Sequence, residues 1–336
     1  MTITIRDVAH AAGVSTATVS RALRGLPNVD DQTRMRVQRV AAELDYVISP
    51  SASRLASGRT GSVAVITPYI ARWFFSTVLS GVESVLASAG IDLLLMSVSN
   101  SAGELRLPPA PRLRRRVDGA LVIAVPADDP QLHDILAIGM PTSMIGVSVE
   151  GVPSVTIDDV QAARTATQHL VNLGHRRIGL IGGTPSSAPF TAGYDRQRGC
   201  IEVLAETGLE LEPSLEAYGN FTVAGGEQAM TDLLTQPVRP TAVFAMSDEM
   251  AFGALRALRS HGLQAGRDVS VVGIDGHQIS ELLDLTTVAQ PVHDLGRIAA
   301  EALLDQLHAG ADRTGDLVQR LATQLIVRGS TAPISG

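Results

Sequence analysis

The segment from Thr4 to Leu23, TIRDVAHAAGVSTATVSRAL, constrains the fold more tightly than any other stretch of the chain. Thr4 followed by Asp7 is an N-cap signature, because both side chains can reach the unpaired N–H groups of a helix's first turn. Ile5, Val8, Ala9 and Ala12 recur at helical spacing and fall on one face. Gly13 can adopt the left-handed conformation that closes a helix. Ser15 caps a second helix, whose inner face is Val19, Ala22 and Leu23. Two short helices joined by a tight glycine turn form a helix-turn-helix. Asp30 caps a third, with Met35, Val37, Val40, Ala41 and Leu44 available for packing. Three such helices form a minimal core.

The hydroxyls of the second helix then have a use. A recognition helix enters the DNA major groove N-terminus first. Thr16 and Ala17 lie at that end, where small side chains allow close approach and a methyl can meet a thymine methyl. Arg21, one turn along, can reach a guanine or a phosphate. Ser15, Thr18 and Ser20 suit phosphate oxygens, where short donors fix register. The same residues also fit an ordinary surface helix in a helical hairpin. Charge leans toward nucleic acid: residues 1–60 carry eight arginines against five acids, a net of +3, while the remainder carries 19 against 29, a net of −10.

Several chemistries are excluded by what the chain lacks. All its basic residues are arginine, so a P-loop lysine and a Schiff-base lysine are absent. The 31 glycines never occur at G-x-G spacing, and no G-x-S-x-G elbow is present. One cysteine, Cys200, rules out an internal disulfide and a multi-cysteine metal site. The eight histidines form no ligand pair. No cofactor, no metal and no catalytic residue is expected, and an α/β enzyme is the weaker reading. No apolar run reaches the ~18 residues of a membrane span, and MTITIRDVAH lacks the layout of a secretory signal, so a cytoplasmic protein without membrane association is expected.

From about residue 61 the pattern alternates strand and helix. VAVIT (63–67) is an unbroken apolar run, the mark of a parallel strand buried on both faces. Residues 76–89 carry a helical stripe of Val78, Leu79, Val82, Val85, Leu86 and Ala89. IDLLLM, GALVIAV, PTSMIGV, RRIGLIG, TAVFAM and VSVVGID read as further strands, giving a doubly wound α/β pattern. Ligands of such sheets sit beyond the strands' carboxyl ends. Pro68, Tyr69, Trp73, Phe74 and Phe75 follow the first strand, and RWFF concentrates scarce aromatics there. These rings suit stacking on a sugar or base face, or core packing. Arg112, Arg114, Arg115 and Arg116 read as a solvated face.

IRDVAHAAGVSTATVSRAL, with Val29, Thr33, Arg34, Val37 and Leu44–Tyr46 after it, resembles the DNA-binding head of LacI/GalR-type transcriptional repressors. The likeness continues through SPSASRLASGRTG and then DGALVIAV, VTIDD, NLGHRRIGLIGG, MSDEMAFGALRALRSHGL, DVSVVGID and LTTVAQPVHDLGRIAAEALL, in the family's order across essentially the whole chain. It implies a small all-α helix-turn-helix head over residues 1–47 and a hinge helix or linker over 48–60. An effector-binding and dimerisation domain over 61–336 follows, with the two-subdomain, doubly wound α/β fold of type I periplasmic binding proteins. The N-subdomain is expected over about 61–157 and 291–321, the C-subdomain over about 158–289 and 322–331. Crossovers are expected near 157–159, 288–291 and 320–323.

The resemblance implies DNA contacts from Thr4, Ser15, Thr16, Ala17, Thr18, Ser20, Arg21, Asn28, Thr33, Ala52 and Leu55. Leu55 matches the leucine that such proteins wedge into the central base step of the minor groove, which bends the duplex. The chain departs from the family at Ile48–Ser49, where Pro-Asn is frequent, and at Ser53, where an arginine is frequent. For the effector it implies Arg196, Phe221, Ser247, Asp248 and Asp275, beside Pro68, Tyr69, Trp73 and Phe74. Ser247 stands where the family often has Asn. An arginine fork and a carboxylate converging on one pocket can hold vicinal hydroxyls. The implied protein is a homodimeric repressor of a near-palindromic double-stranded operator, switched by a small-molecule effector, with a sugar as the first expectation. A nucleobase or other metabolite as effector, and a periplasmic-type sugar-binding protein without DNA function, remain as alternatives.

Overall fold

The structure, a computed structural model, describes residues 3–46, 59–98, 105–183, 191–309 and 318–334. The chain divides into two compact units, residues 1–61 and 62–336.

The first unit is three helices, α1 (Ile5–Ala12), α2 (Thr16–Leu23) and α3 (Asp31–Glu43). Each begins at its capping residue, and α1 also ends at one. The Asp7 carboxylate accepts from the Thr4 N–H at 2.8 Å and the Thr4 hydroxyl at 2.7 Å. Gly13 ends α1 with a φ of 64°, and the Val14 N–H turns back to the Ala9 carbonyl at 3.0 Å. Ser15 Oγ accepts the Thr18 N–H, and Asp30 Oδ1 accepts the Thr33 N–H. Val8, Ala9, Ala12, Val19, Ala22, Val37, Val40 and Ala41 form the core. Met35 is not part of it: the side chain is 64 % exposed. Met35 precedes the buried Val37, Val40 and Ala41 by a spacing that turns it off their face. Arg34 closes the unit by donating to the carbonyls of Ala22, Leu26 and Val29, which holds the loop between α2 and α3.

The second unit contains two six-stranded sheets. In the first, β1 (Ser62–Thr67), β2 (Asp92–Ser97), β3 (Gly119–Ile123), β4 (Thr142–Ile145), β5 (Ser154–Thr156) and β11 (Val318–Arg320) lie in the order β11-β5-β4-β3-β1-β2, all parallel. In the second, β6 (Ile178–Gly182), β7 (Glu216–Tyr218), β8 (Ala242–Ala245), β9 (Ser270–Asp275), β10 (Thr286–Ala289) and β12 (Gln324–Ile326) lie in the order β12-β10-β9-β8-β6-β7, with β12 antiparallel to β10. Between them run α4 (Trp73–Ser88), α5 (Ala110–Leu113), α6 (Pro130–Leu136), α7 (Asp159–Asn172), α8 (Thr191–Glu206), α9 (Val223–Leu234), α10 (Asp248–Ser260), α11 (Ile279–Leu282) and α12 (Val292–Ala309).

Strand β1 shows why the sheet is covered on both faces. All six of its residues are buried. Val63 and Val65 join one core cluster with Val78, Val82 and Leu86 of α4; Ala64 and Ile66 join another with Leu113, Leu132 and Ile135. Helix α4 starts three residues earlier than its apolar stripe suggested, because the aromatics Trp73–Phe75 form its first turn. It packs against α12 so closely that a Cβ on Gly81 would collide with the His293 carbonyl oxygen, and one on Gly296 with that of Val78. The chain passes between the sheets three times, after β5, after β10 and between β11 and β12.

Candidate functional site: a two-lobed cleft and a recognition helix

A cavity of about 830 Å3, counting its open mouth, lies between the two sheets of the second unit. Four aromatic rings line it: Tyr69, Phe74 and Phe75 after β1 of the first sheet, and Phe221 after β7 of the second. Tyr69 and Phe75 meet edge-on at 5.5 Å, as do Phe74 and Phe75 at 5.2 Å. Arg72 lies over the Tyr69 ring, 3.7 Å from its centroid. Phe221 reaches the cleft with a φ of 52° and rests on Gly183, where a Cβ would strike its ring. Ala124 and Asp275 line the same cavity with φ of 51° and 145°. Left-handed backbone at three non-glycine residues of one pocket is strain concentrated at a functional site.

The polar floor is built around Arg196 of α8, which is 5 % exposed. Its Nε donates to Asp159 Oδ1 at 2.7 Å, its Nη1 donates to the Met246 carbonyl, and Asp275 Oδ1 lies 3.7 Å away. Gln290 Nε2 donates to the same Asp275 oxygen at 2.7 Å. Burial pushes the Asp275 carboxyl up to about 8; Arg196 opposes the rise and Asp248 adds to it. Burial also raises Asp159, again against the pull of Arg196. An arginine held between two carboxyl groups beside aromatic rings can bind a polyhydroxylated ring, with the floor exchanging hydrogen bonds and the aromatic rings stacking.

The residues expected at the effector site separate into two sets. Tyr69, Phe74, Arg196, Phe221, Ser247 and Asp275 line the cavity. Ser247 also caps α10, its Oγ accepting the Met250 N–H at 3.3 Å. Asp248, Trp73 and Pro68 are not on its wall. Asp248 is fully buried and accepts from Thr287 Oγ1, Ser280 Oγ and the His277 N–H at 2.6, 2.8 and 2.8 Å. It ties α10 to β10 and to the turn after β9. Trp73 packs on His277 at 4.5 Å with the rings tilted by 31°, and Phe252 meets the same imidazole edge-on at 5.1 Å. This stack joins the helix after β1 to the turn after β9, so it links the two lobes. Pro68 is buried at the end of β1. Asp159, Glu249, Gln290 and Arg72 line the cavity without having been expected there. Asp159 and Gln290 sit at crossovers, and segments that pass between two lobes must border the cleft. Among the described residues no group of three or more His, Cys, Asp or Glu is placed to hold a metal, and no helix is long and apolar enough to cross a membrane.

On helix α2, Thr16, Ala17 and Arg21 are exposed, while Thr18 and Ser20 are half-buried. Ser15 is exposed and lies 2.9 Å from Thr18 Oγ1, so its hydroxyl is both a cap and a surface group. Thr4 is exposed at the start of α1, and Thr33 is half-buried in the first turn of α3. Asn28 is exposed with a φ of 67°, a conformation Asn tolerates well. Ala52 and Leu55 lie outside the described residues.

Comparison with known proteins matches residues 4–49 to bacterial regulatory proteins of the lacI family and residues 167–331 to the periplasmic binding protein-like domain. The HTH-type transcriptional repressor CytR of Escherichia coli K12 is 34 % identical over 98 % of this chain and 96 % of its own. The HTH-type transcriptional regulator CelR of Thermobifida fusca is 35 % identical over 97 % and 98 %. Among solved structures, the Lac repressor dimer bound to operator and the anti-inducer ONPF aligns at a TM-score of 0.86 with 28 % identity, covering 99 % of this chain and 100 % of that one. The CelR–cellobiose complex aligns at 0.70 with 33 % identity, over 98 % and 99 %.

Proposed function

This chain belongs to the lacI family of bacterial regulatory proteins, and on that premise we propose that it is a repressor whose grip on operator DNA is set by a small sugar in its cleft. The observation that carries the reading is the Arg196 floor beneath the aromatic rings, on a chain whose other unit presents Thr16, Ala17 and Arg21 from an exposed helix. Thr16 and Ala17 read base edges, Arg21 reads a guanine or a phosphate, and Ser15, Thr18 and Ser20 fix register on phosphates. Thr4, Asn28 and Thr33 flank that surface. Ala52 and Leu55 act in the minor groove, Leu55 as the wedge. The protein works as a homodimer on a near-palindromic site, since two-fold symmetry in the protein asks for it in the DNA.

The switch is differential affinity. The effector contacts both lobes, so it favours one relative arrangement of them, and only that preference can shift the DNA-bound population. Residues 1–47 are the head, 48–60 the hinge, and the remainder is the effector and dimer domain in two subdomains. The role is regulatory rather than catalytic, and it is exercised in the cytoplasm, where the DNA is. Selection of bound sequences from random duplexes, at fixed salt and with or without pooled uncharged sugars, tests this. A palindromic motif whose recovery changes with one pool is expected. Salt-sensitive binding without a motif would mean that the head touches phosphates only, and would refute the reading.

A further inference from the structure

We infer that Glu249 makes the cleft select uncharged, hydroxyl-bearing ring ligands and reject their phosphorylated forms. This rests on the reading of the cleft as the effector site and adds the charge of what enters it.

An anion needs a cation with donors to spare. Both arginines of the cleft already have their charge balanced by carboxyl groups of the protein. Arg196 is buried between Asp159 and Asp275 and also donates to the Met246 carbonyl. Arg72 lies over the Tyr69 ring, and its charge acts on Glu249, whose carboxyl burial raises and Arg72 lowers. With Asp275 ionised the lining carries three carboxylates against two guanidiniums; with Asp275 protonated, two against two. With Asp159 and Glu249 ionised, neither state leaves surplus positive charge among the described lining residues.

A helix N-terminus is the other common anion seat. Helix α10 begins at this cleft with Asp248 and Glu249 in its first turn. That seat is already filled by the protein: the Asp248 N–H points to Asp275 Oδ2 at 3.4 Å, and the Met250 N–H to Ser247 Oγ. A phosphate arriving there would meet carboxylates.

Of the other polar groups on the lining, Tyr69, Ser247 and Gln290 carry no charge. Gln290 donates to Asp275 from its amide nitrogen. Glu249 is half-buried in the cavity wall, and among the described residues it has neither a hydrogen bond nor an ion pair. A half-buried carboxylate without a partner is costly, and a ligand that donates to it removes that cost. Hydroxyls on a ring stacked against Phe74 or Phe221 supply such donors. Asp248 already places an acid at the start of α10, so helix stability alone does not call for a second one turned into the cleft.

The test uses the full-length protein and five probes: glucose, ribose, cellobiose, glucose 6-phosphate and ribose 5-phosphate. Melting shifts identify binders, and calorimetry measures them. At least one uncharged sugar is expected to bind, with any ester of it at least tenfold weaker. Glu249→Gln keeps the shape and removes the charge. It is expected to weaken the sugar and bring the ester to within a few-fold of it, while Glu249→Asp keeps the discrimination. An ester that matches or exceeds its parent sugar in the wild type, or a gap unchanged in Glu249→Gln, overturns the proposal and leaves the cleft as the effector site. A panel in which no probe moves the melting temperature overturns the sugar reading and the proposal together.

Discussion

Asp275 shows how one residue answers to both stability and function. It ends β9 at a strained φ of 145°, is 6 % exposed, and faces Arg196 and Gln290. Unfolded, its carboxyl ionises near the ordinary 3.8; folded, it holds its proton up to about 8. Between those values the folded state binds more protons than the unfolded one. Stability therefore falls as pH rises through that window and levels off above it. Asparagine has no such dependence. Asp275→Asn is expected to melt higher than the wild type by a margin that widens by several degrees between pH 5 and pH 8.5, while its effector response is lost. A margin constant across that range would mean that the folded carboxyl is already ionised at pH 5. Thr4, Asp7, Gly13, Ser15 and Asp30 do at the capping positions what their residue types predict, because capping is chemistry between neighbours. Asp159 and Glu249 could not be assigned that way, since each acquires its role from residues distant in sequence.

At the scale of the element, α2 divides its residues cleanly. Val19 and Ala22 are buried, and Thr16, Ala17 and Arg21 are outside. Arg21 is not needed by the core, so Arg21→Ala is expected to leave the melting temperature and effector-induced shift unchanged while weakening operator binding by about 10- to 100-fold, the usual size of one base or phosphate contact. Filter binding against the selected operator measures it; a variant that loses the effector shift would show that Arg21 supports the fold. Arg34 carries a contrasting lesson. It belongs to the same motif, yet its guanidinium is spent on three carbonyls of the loop after α2. Long apolar strands such as β1 and β9 were legible because both their faces are buried. The strands β5, β7, β10, β11 and β12 have too few residues to show a period; β4 and β8 are as short as β10 but legible, because apolar neighbours lengthen their runs.

At the scale of the molecule, the two lobes are joined by the crossovers and by the Trp73–His277–Phe252 stack. Trp73 is the chain's only tryptophan, so its emission reports the stack without a label. Titration with a binding sugar is expected to shift or quench that emission in step with the change in operator affinity. A sugar that alters DNA binding with Trp73 emission fixed would place the lobe movement away from this stack. Burial holds the His277 imidazole below its ordinary range, so at neutral pH the stack is between uncharged rings.

By itself the sequence determined the capped three-helix head, the positions of the long buried strands and the absence of lysine chemistry. These are local: each depends on propensity, capping or periodicity among near neighbours. Only the tertiary structure decided which groups share the cleft. It seated Arg196 between Asp159 and Asp275, moved Trp73 and Asp248 off the wall into supporting roles, and brought Glu249 onto it without a partner. The reason is that burial and charge pairing are properties of a closed volume, and residues 159, 196, 249 and 275 meet only when two sheets and their crossovers have packed.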